Sequence, residues 1–160
     1  MSVTLTGAGF NPPANSGFDK PRAGVYATSG MHQLESGVNQ SGAVILWASA
    51  VTASGQTNQR DVVPLTAQAD VQGFRGLVLR DDPITDGKLG HDHHGQMIIV
   101  TKGDLYVELG ASVVGGDAVG LPAGGPANLY EPGSATNITI PGAIFRAAGN
   151  AGDVVAISIA

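Results

Sequence analysis

His91-Asp92-His93-His94, set between Gly90 and Gly95, is the one group of side chains in this 160-residue chain whose types and spacing suggest chemistry. Two imidazoles at positions i and i+2 of a strand share a face and can hold one transition-metal ion. His91, His93 and His94 are therefore the candidate metal ligands. Asp81, Asp82 and Asp86 suggest calcium less well, because Pro83 and Ile84 interrupt the spacing and no Asp-x-Asp-x-Asp-Gly loop is present. No Gly-x-Ser-x-Gly elbow surrounds any serine, and Gly7-Ala8-Gly9 lacks the alternating strands and helices of a dinucleotide site. No catalytic or cofactor-binding residue is assigned.

Cupins use a His-x-His pair at a barrel mouth, followed by a carboxylate and by a further histidine from a later strand. Here Gln96 and Met97 follow, no histidine occurs after His94, and His32 lies far upstream. A cupin-like metalloenzyme using His91 and His93 thus stays an alternative. The simpler reading is a solvated loop, or a contact between subunits that titrates with its histidines. Tyr106 and Tyr130 could stack a sugar in a β-sandwich glycan-binding module, but aromatics make up 5% of the chain, which favours packing roles.

The elements that must position these residues are strands. Only 13% of residues are charged, about half the usual share, while 24 are glycine and 9 proline. That balance suits short strands joined by tight turns. Met97–Thr101 and Asp104–Leu109 read as a hairpin turning at Lys102-Gly103, with Leu105, Val107 and Leu109 on one face. Ala43–Ala48 reads as a strand buried on both faces, with Trp47 in the core. Asp61–Leu65 is demoted by Pro64 to an edge or a bulge. Phe74–Arg80 carries Gly76, which signals a bulge or a close backbone approach. Asp117–Leu121, Thr136–Ile140, Ala143–Arg146 and Asp153–Ile159 complete the set. The expectation is an all-β barrel or sandwich of about eight or nine short strands over residues 41–160, preceded by an irregular arm over residues 1–40. Phe10, Phe18, Val25, Tyr26 and Met31 stud that arm as apolar anchors, which a solvated tail would not use. They are the candidate contacts to the domain itself or to a neighbour.

The charge of −5 offers no basic field for phosphates, so nucleic acid is not an expected partner. The apolar run at 43–48 is far short of the ~20 residues of a membrane helix. With no cysteine there is no disulfide framework, and Met1–Gly7 lacks the basic and apolar regions of a secretory signal. A product made and kept in the cytoplasm, or assembled into something made there, is expected.

Four phrases occur in order: Phe74-Arg75-Gly76-Leu77-Val78-Leu79-Arg80-Asp81, Val100-Thr101-Lys102-Gly103-Asp104-Leu105-Tyr106-Val107, Ala111 to Val119, and Pro141-Gly142-Ala143-Ile144-Phe145-Arg146. Together they resemble the structural cement, or head decoration, proteins of tailed bacteriophages over residues 42–160. The His91–His94 loop and residues 1–40 depart from that pattern. The resemblance implies a non-enzymatic virion protein, made in the bacterial cytoplasm, that lies on the capsid exterior. Its implied partners are the major capsid protein and itself, as a homotrimer or a dimer, and it implies no cofactor.

Overall fold

The structure, a computed structural model, describes residues 21–27, 31–55, 60–80 and 89–160. Strands dominate, as the composition requires, and the helix among the described residues is a single 3-10 segment at Gln68–Gly73. Two closed rings of pairing organise the strands. The first runs from β1 (Gln33–Asn39) to β4 (Asp61–Pro64), β3 (Ala50–Ala53), β5 (Phe74–Val78) and β7 (Gln96–Leu109), and back from β7 to β1. The second runs from β7 to β11 (Val154–Ile159), β10 (Ile138–Phe145), β8 (Ala118–Leu121) and β9 (Leu129–Pro132), and back to β7. Two small barrels therefore share one strand. β2 (Ile45–Leu46) and β6 (Gly90–His91) pair separately as a short ribbon.

The expected hairpin at Lys102-Gly103 is not formed. A two-residue turn of that kind needs positive φ at both central residues, and of the two only Gly103 has it, at +123°. Each half also has partners elsewhere. Residues Gln96–Lys102 pair with β1, and Gly103–Glu108 pair with β11. The chain thus continues as one bent strand, and Gly103 marks the place where it passes from one barrel to the other. A Cβ there would lie 2.6 Å from His32 Cδ2, which leaves room for glycine alone.

Alternation holds in each half of β7 and breaks between them, where Val100, buried next to Ile99, joins the larger core. Met97 and Ile99 join Ile45, Trp47, Val51, Val62 and Val78 in the smaller core. Leu105, Val107 and Leu109, on one face as expected, join Leu121, Tyr130, Ile138, Phe145 and Ile157 in the larger one.

Ala43–Ala48 is not a single strand. β2 holds two residues, Val44 is exposed, and the chain turns at Trp47-Ala48, with Ala48 at φ +62°, before entering β3. Trp47 is buried as expected. β10 joins two segments that Pro141-Gly142 had divided; Gly142 at φ +70° absorbs the irregularity as the pairing with β8 shifts between Thr139 and Ile144. Gly76 does mark a bulge: Val51 pairs with Gly76 and Thr52 with Phe74, so Arg75 is the extra residue. Residues 33–39, read as irregular, form β1.

The described part of the N-terminal stretch lies against its own domain. Gly24 donates to the Tyr106 carbonyl (2.8 Å), Tyr106 donates to Val25 (2.9 Å), and Arg80 donates to Gly24 (2.7 Å). Tyr26 bridges to Leu105. Gly24–Tyr26 thus meet the second half of β7, and β1 pairs with the first half.

Candidate functional site

The histidine loop does not build the metal site that its spacing suggested. β6 ends at His91, and the next residues turn, with Gly95 donating to the Asp92 carbonyl at 2.7 Å and His94 at φ +64°. His91 and His93 therefore do not share a strand face. His91 is buried edge-on to Trp47 (ring centroids 4.8 Å, 89°), whereas His93 and His94 are exposed, with ring centroids 3.7 Å apart. Among the described residues, no group of three or more His, Cys, Asp or Glu is placed to hold a metal ion. Asp81, Asp82 and Asp86 lie outside the described residues.

What positions the loop is a residue the sequence reading passed over. Asn39 is fully buried, and its Nδ2 donates to the carbonyls of Ala43 and His91, each at 2.9 Å. Its Oδ1 accepts from the Ser41 N–H (2.8 Å) and hydroxyl (2.7 Å). The Asn39 main chain bonds in turn to Gly95 and His94. One satisfied amide thus pins both the 41–44 turn and the histidine loop to β1, and satisfaction is what makes its burial tolerable. An Asn among glycines and serines carries no signal that separates it from any turn residue.

Of the two tyrosines that could stack a sugar, one is withdrawn into the core. Tyr130 is fully buried, its hydroxyl donating to the Ala48 carbonyl at 2.5 Å, and burial pushes its phenol well above the ordinary value. Tyr106, the other candidate, is half-buried, and the large apolar side chains most exposed among the described residues are Val25, Met31, Leu34, Val44, Leu89, Ile98, Val114 and Ile144. They fall on both barrels: Leu34 and Ile98 on the first, Val114 and Ile144 on the second.

Of the expected arm contacts, Phe10 and Phe18 lie outside the described residues. Val25 is exposed, and Met31 is 91% exposed. Tyr26 is half-buried against its own His32 (ring centroids 4.0 Å), and burial raises its phenol too. Where this segment enters, a cleft of about 510 Å³ opens between Ala23, Leu46, Trp47 and Leu89, with Glu108 and Asn128 on its wall.

Aliphatic side chains are thus exposed on both barrels. The structural cement protein family (E217 gp24/Pam3 gp6) matches residues 15–160. The chain belongs to that family. Its role is accordingly structural, in a bacteriophage capsid. Among solved structures the chain is similar to one titled the capsid of Myoviridae phage XM1, with a TM-score of 0.65 at 12% identity, over 88% of this chain and 90% of that one. At that identity the likeness concerns the fold of the cement protein alone. The N base of head fiber gp8.5 from bacteriophage phi29 aligns with a TM-score of 0.47 at 10% identity, over 81% of this chain and 95% of that one. No curated protein matches the sequence.

Proposed function

We propose that this cement protein binds the outer surface of a phage head as a symmetric oligomer, a trimer in the first instance, and holds neighbouring capsomers together. The observation that carries the reading is the family match across residues 15–160. The geometry supports it. A bridging molecule needs separate contact surfaces on one rigid body, and here aliphatic side chains are exposed on each of two barrels that share β7. Each contact with the major capsid protein need bury only about 800 Å² per partner. Oligomerisation then multiplies affinity, because once one subunit is seated the others bind at high effective concentration. The partners are the major capsid protein and further copies of this chain, and no substrate is turned over. Phe10, Phe18, Val25 and Met31 are offered to those partners, with Tyr26 holding the segment to its own domain.

The test is cosedimentation with purified heads lacking the protein. The full chain should saturate them at a fixed ratio to capsid protein, and a chain lacking residues 2–20 should bind at least about tenfold more weakly while melting at the same temperature. Failure of the full chain to sediment with heads would overturn the reading. Equal binding by the truncation would overturn the arm's part in it.

A further inference from the structure

β1 is covered on one side and open along most of the other. It pairs with β7 from Gln33 to Val38, but β4 reaches only Val38 and Asn39. Two contacts establish which way its main chain points. Val38 donates to the Arg60 carbonyl, on the β4 side, at 2.8 Å, while Asn39 bonds to Gly95 and His94 on the other. Strand alternation then turns the N–H and C=O groups of Ser36 and Leu34 toward the β4 side. That is beyond the β1–β4 pairing, and no described residue bonds to those groups.

The edge is built to take a strand. Leu34 is 48% exposed on it, Met31 lies just upstream, and Ile98 is exposed beside it on β7. Its one charged residue, Glu35, is engaged by Arg75 at 2.5 Å. It carries neither the lysine nor the proline with which sheets discourage further pairing.

A fitting strand lies in the same sequence. Ser2-Val3-Thr4-Leu5-Thr6 alternates apolar with hydroxyl side chains, is rich in β-branched residues, and carries no charge to desolvate. From Thr6 to Pro21, the first described residue, an extended chain spans up to about 50 Å. We propose that Ser2–Thr6 of a neighbouring copy adds as a strand beside Leu34–Ser36, so that each arm extends the next copy's first barrel. This rests on the oligomer proposed above. A head-to-tail exchange of that kind closes on itself in a cyclic oligomer and leaves no edge open.

The chain has no cysteine, so Thr4→Cys and Ser36→Cys in one protein are its only thiols. A bismaleimide spanning about 10 Å, twice the spacing of neighbouring strands, should give a ladder of covalent multimers, with cross-linked peptides joining residues 4 and 36. Cross-links confined within single chains would overturn the exchange. So would their absence from a protein that light scattering finds oligomeric, an outcome that leaves the oligomer itself standing. A monomer by light scattering would sink both. Ser36→Pro removes an N–H that makes no bond to β7, so the fold should stand while self-association weakens about tenfold, one hydrogen bond's worth. Unchanged association in a folded Ser36→Pro protein would equally overturn the proposal.

Discussion

Tyr130→Phe removes a single oxygen and tests whether the two barrels act as one body. Tyr130 lies on β9 of the second barrel, while Ala48 sits in the turn that leads into β3 of the first, held there at φ +62°. Their hydrogen bond is buried and ties the two together directly. Deleting the hydroxyl leaves the Ala48 carbonyl without that donor, at a cost of about 1–3 kcal/mol. At about 2 kcal/mol, a chain of this size should melt roughly 4–8 °C lower. A second signature comes from pH. Burial raises the Tyr130 phenol in the folded state, so the folded protein holds its proton where the unfolded chain has released it. The associated stability is fully present below the unfolded value of about 10 and falls as pH rises beyond it, by up to about 1.4 kcal/mol per pH unit. Thermal melts of both proteins from pH 7 to 11 read both effects. Wild type should lose stability steeply above pH 10, and Tyr130→Phe should start lower and fall less steeply, with Tyr26 supplying part of the remainder. Equal melting temperatures at pH 7 together with parallel alkaline limbs would refute the reasoning.

Gly76→Ala should abolish folding or cost more than about 4 kcal/mol, because the added Cβ would lie 2.2 Å from the Val100 carbonyl oxygen at φ +142°; soluble yield and a melting curve check it. Asn39→Ala takes the donor from the buried His91 carbonyl and releases the 41–44 turn, and should cost about 1–3 kcal/mol, with hydrogen exchange rising first at residues 91–95. Purified protein should carry no stoichiometric transition metal; an equivalent that is lost in His91→Ala/His93→Ala would restore the metalloenzyme alternative. Extending the arm deletion from residue 20 to residue 30 should lower the melting temperature, since it removes the bonds of Gly24 and Val25 to Tyr106.

Local composition conveyed the class of the fold but not the connections between its strands. The alternation of Leu105, Val107 and Leu109, the bulge at Gly76 and the burial of Trp47 follow from local rules, and each was legible. The hairpin was not, because Lys102-Gly103 satisfies the local grammar of a turn while the decision belongs to β1 and β11, which lie far away in sequence and pair with either half of β7. β1 itself was hidden for the same reason: Gln33–Asn39 contains a glycine, a serine and an asparagine, and becomes a strand because β7 offers it an edge. The histidine motif misled in the opposite direction. Its spacing implies a shared face only if the strand continues, and β6 stops at His91 because Asn39 draws the following turn onto β1.

The difference between a hairpin and one continuous strand bears directly on a cementing role. A hairpin would lay its two halves side by side and confine the exposed aliphatic residues to one compact sheet. Continuing through Gly103, the 14 residues of β7 instead carry one barrel on each half, and the strand bends so that Gly24, bonded to Tyr106 of the second half, also meets Arg80 just beyond the end of β5. Under the proposed bridging role, capsomers that separate pull on the contacts between the two barrels. Gly24 and Val25 bond to Tyr106 in the second half of β7, and β1 pairs with the first half. The barrels are also joined by the Tyr130–Ala48 bond and by one core that packs Ala50, Leu77 and Val100 of the first against Leu105, Phe145 and Ile157 of the second; pulling and heat therefore act on the same packed body, and Tyr130→Phe should lower resistance to pulling as it lowers the melting temperature.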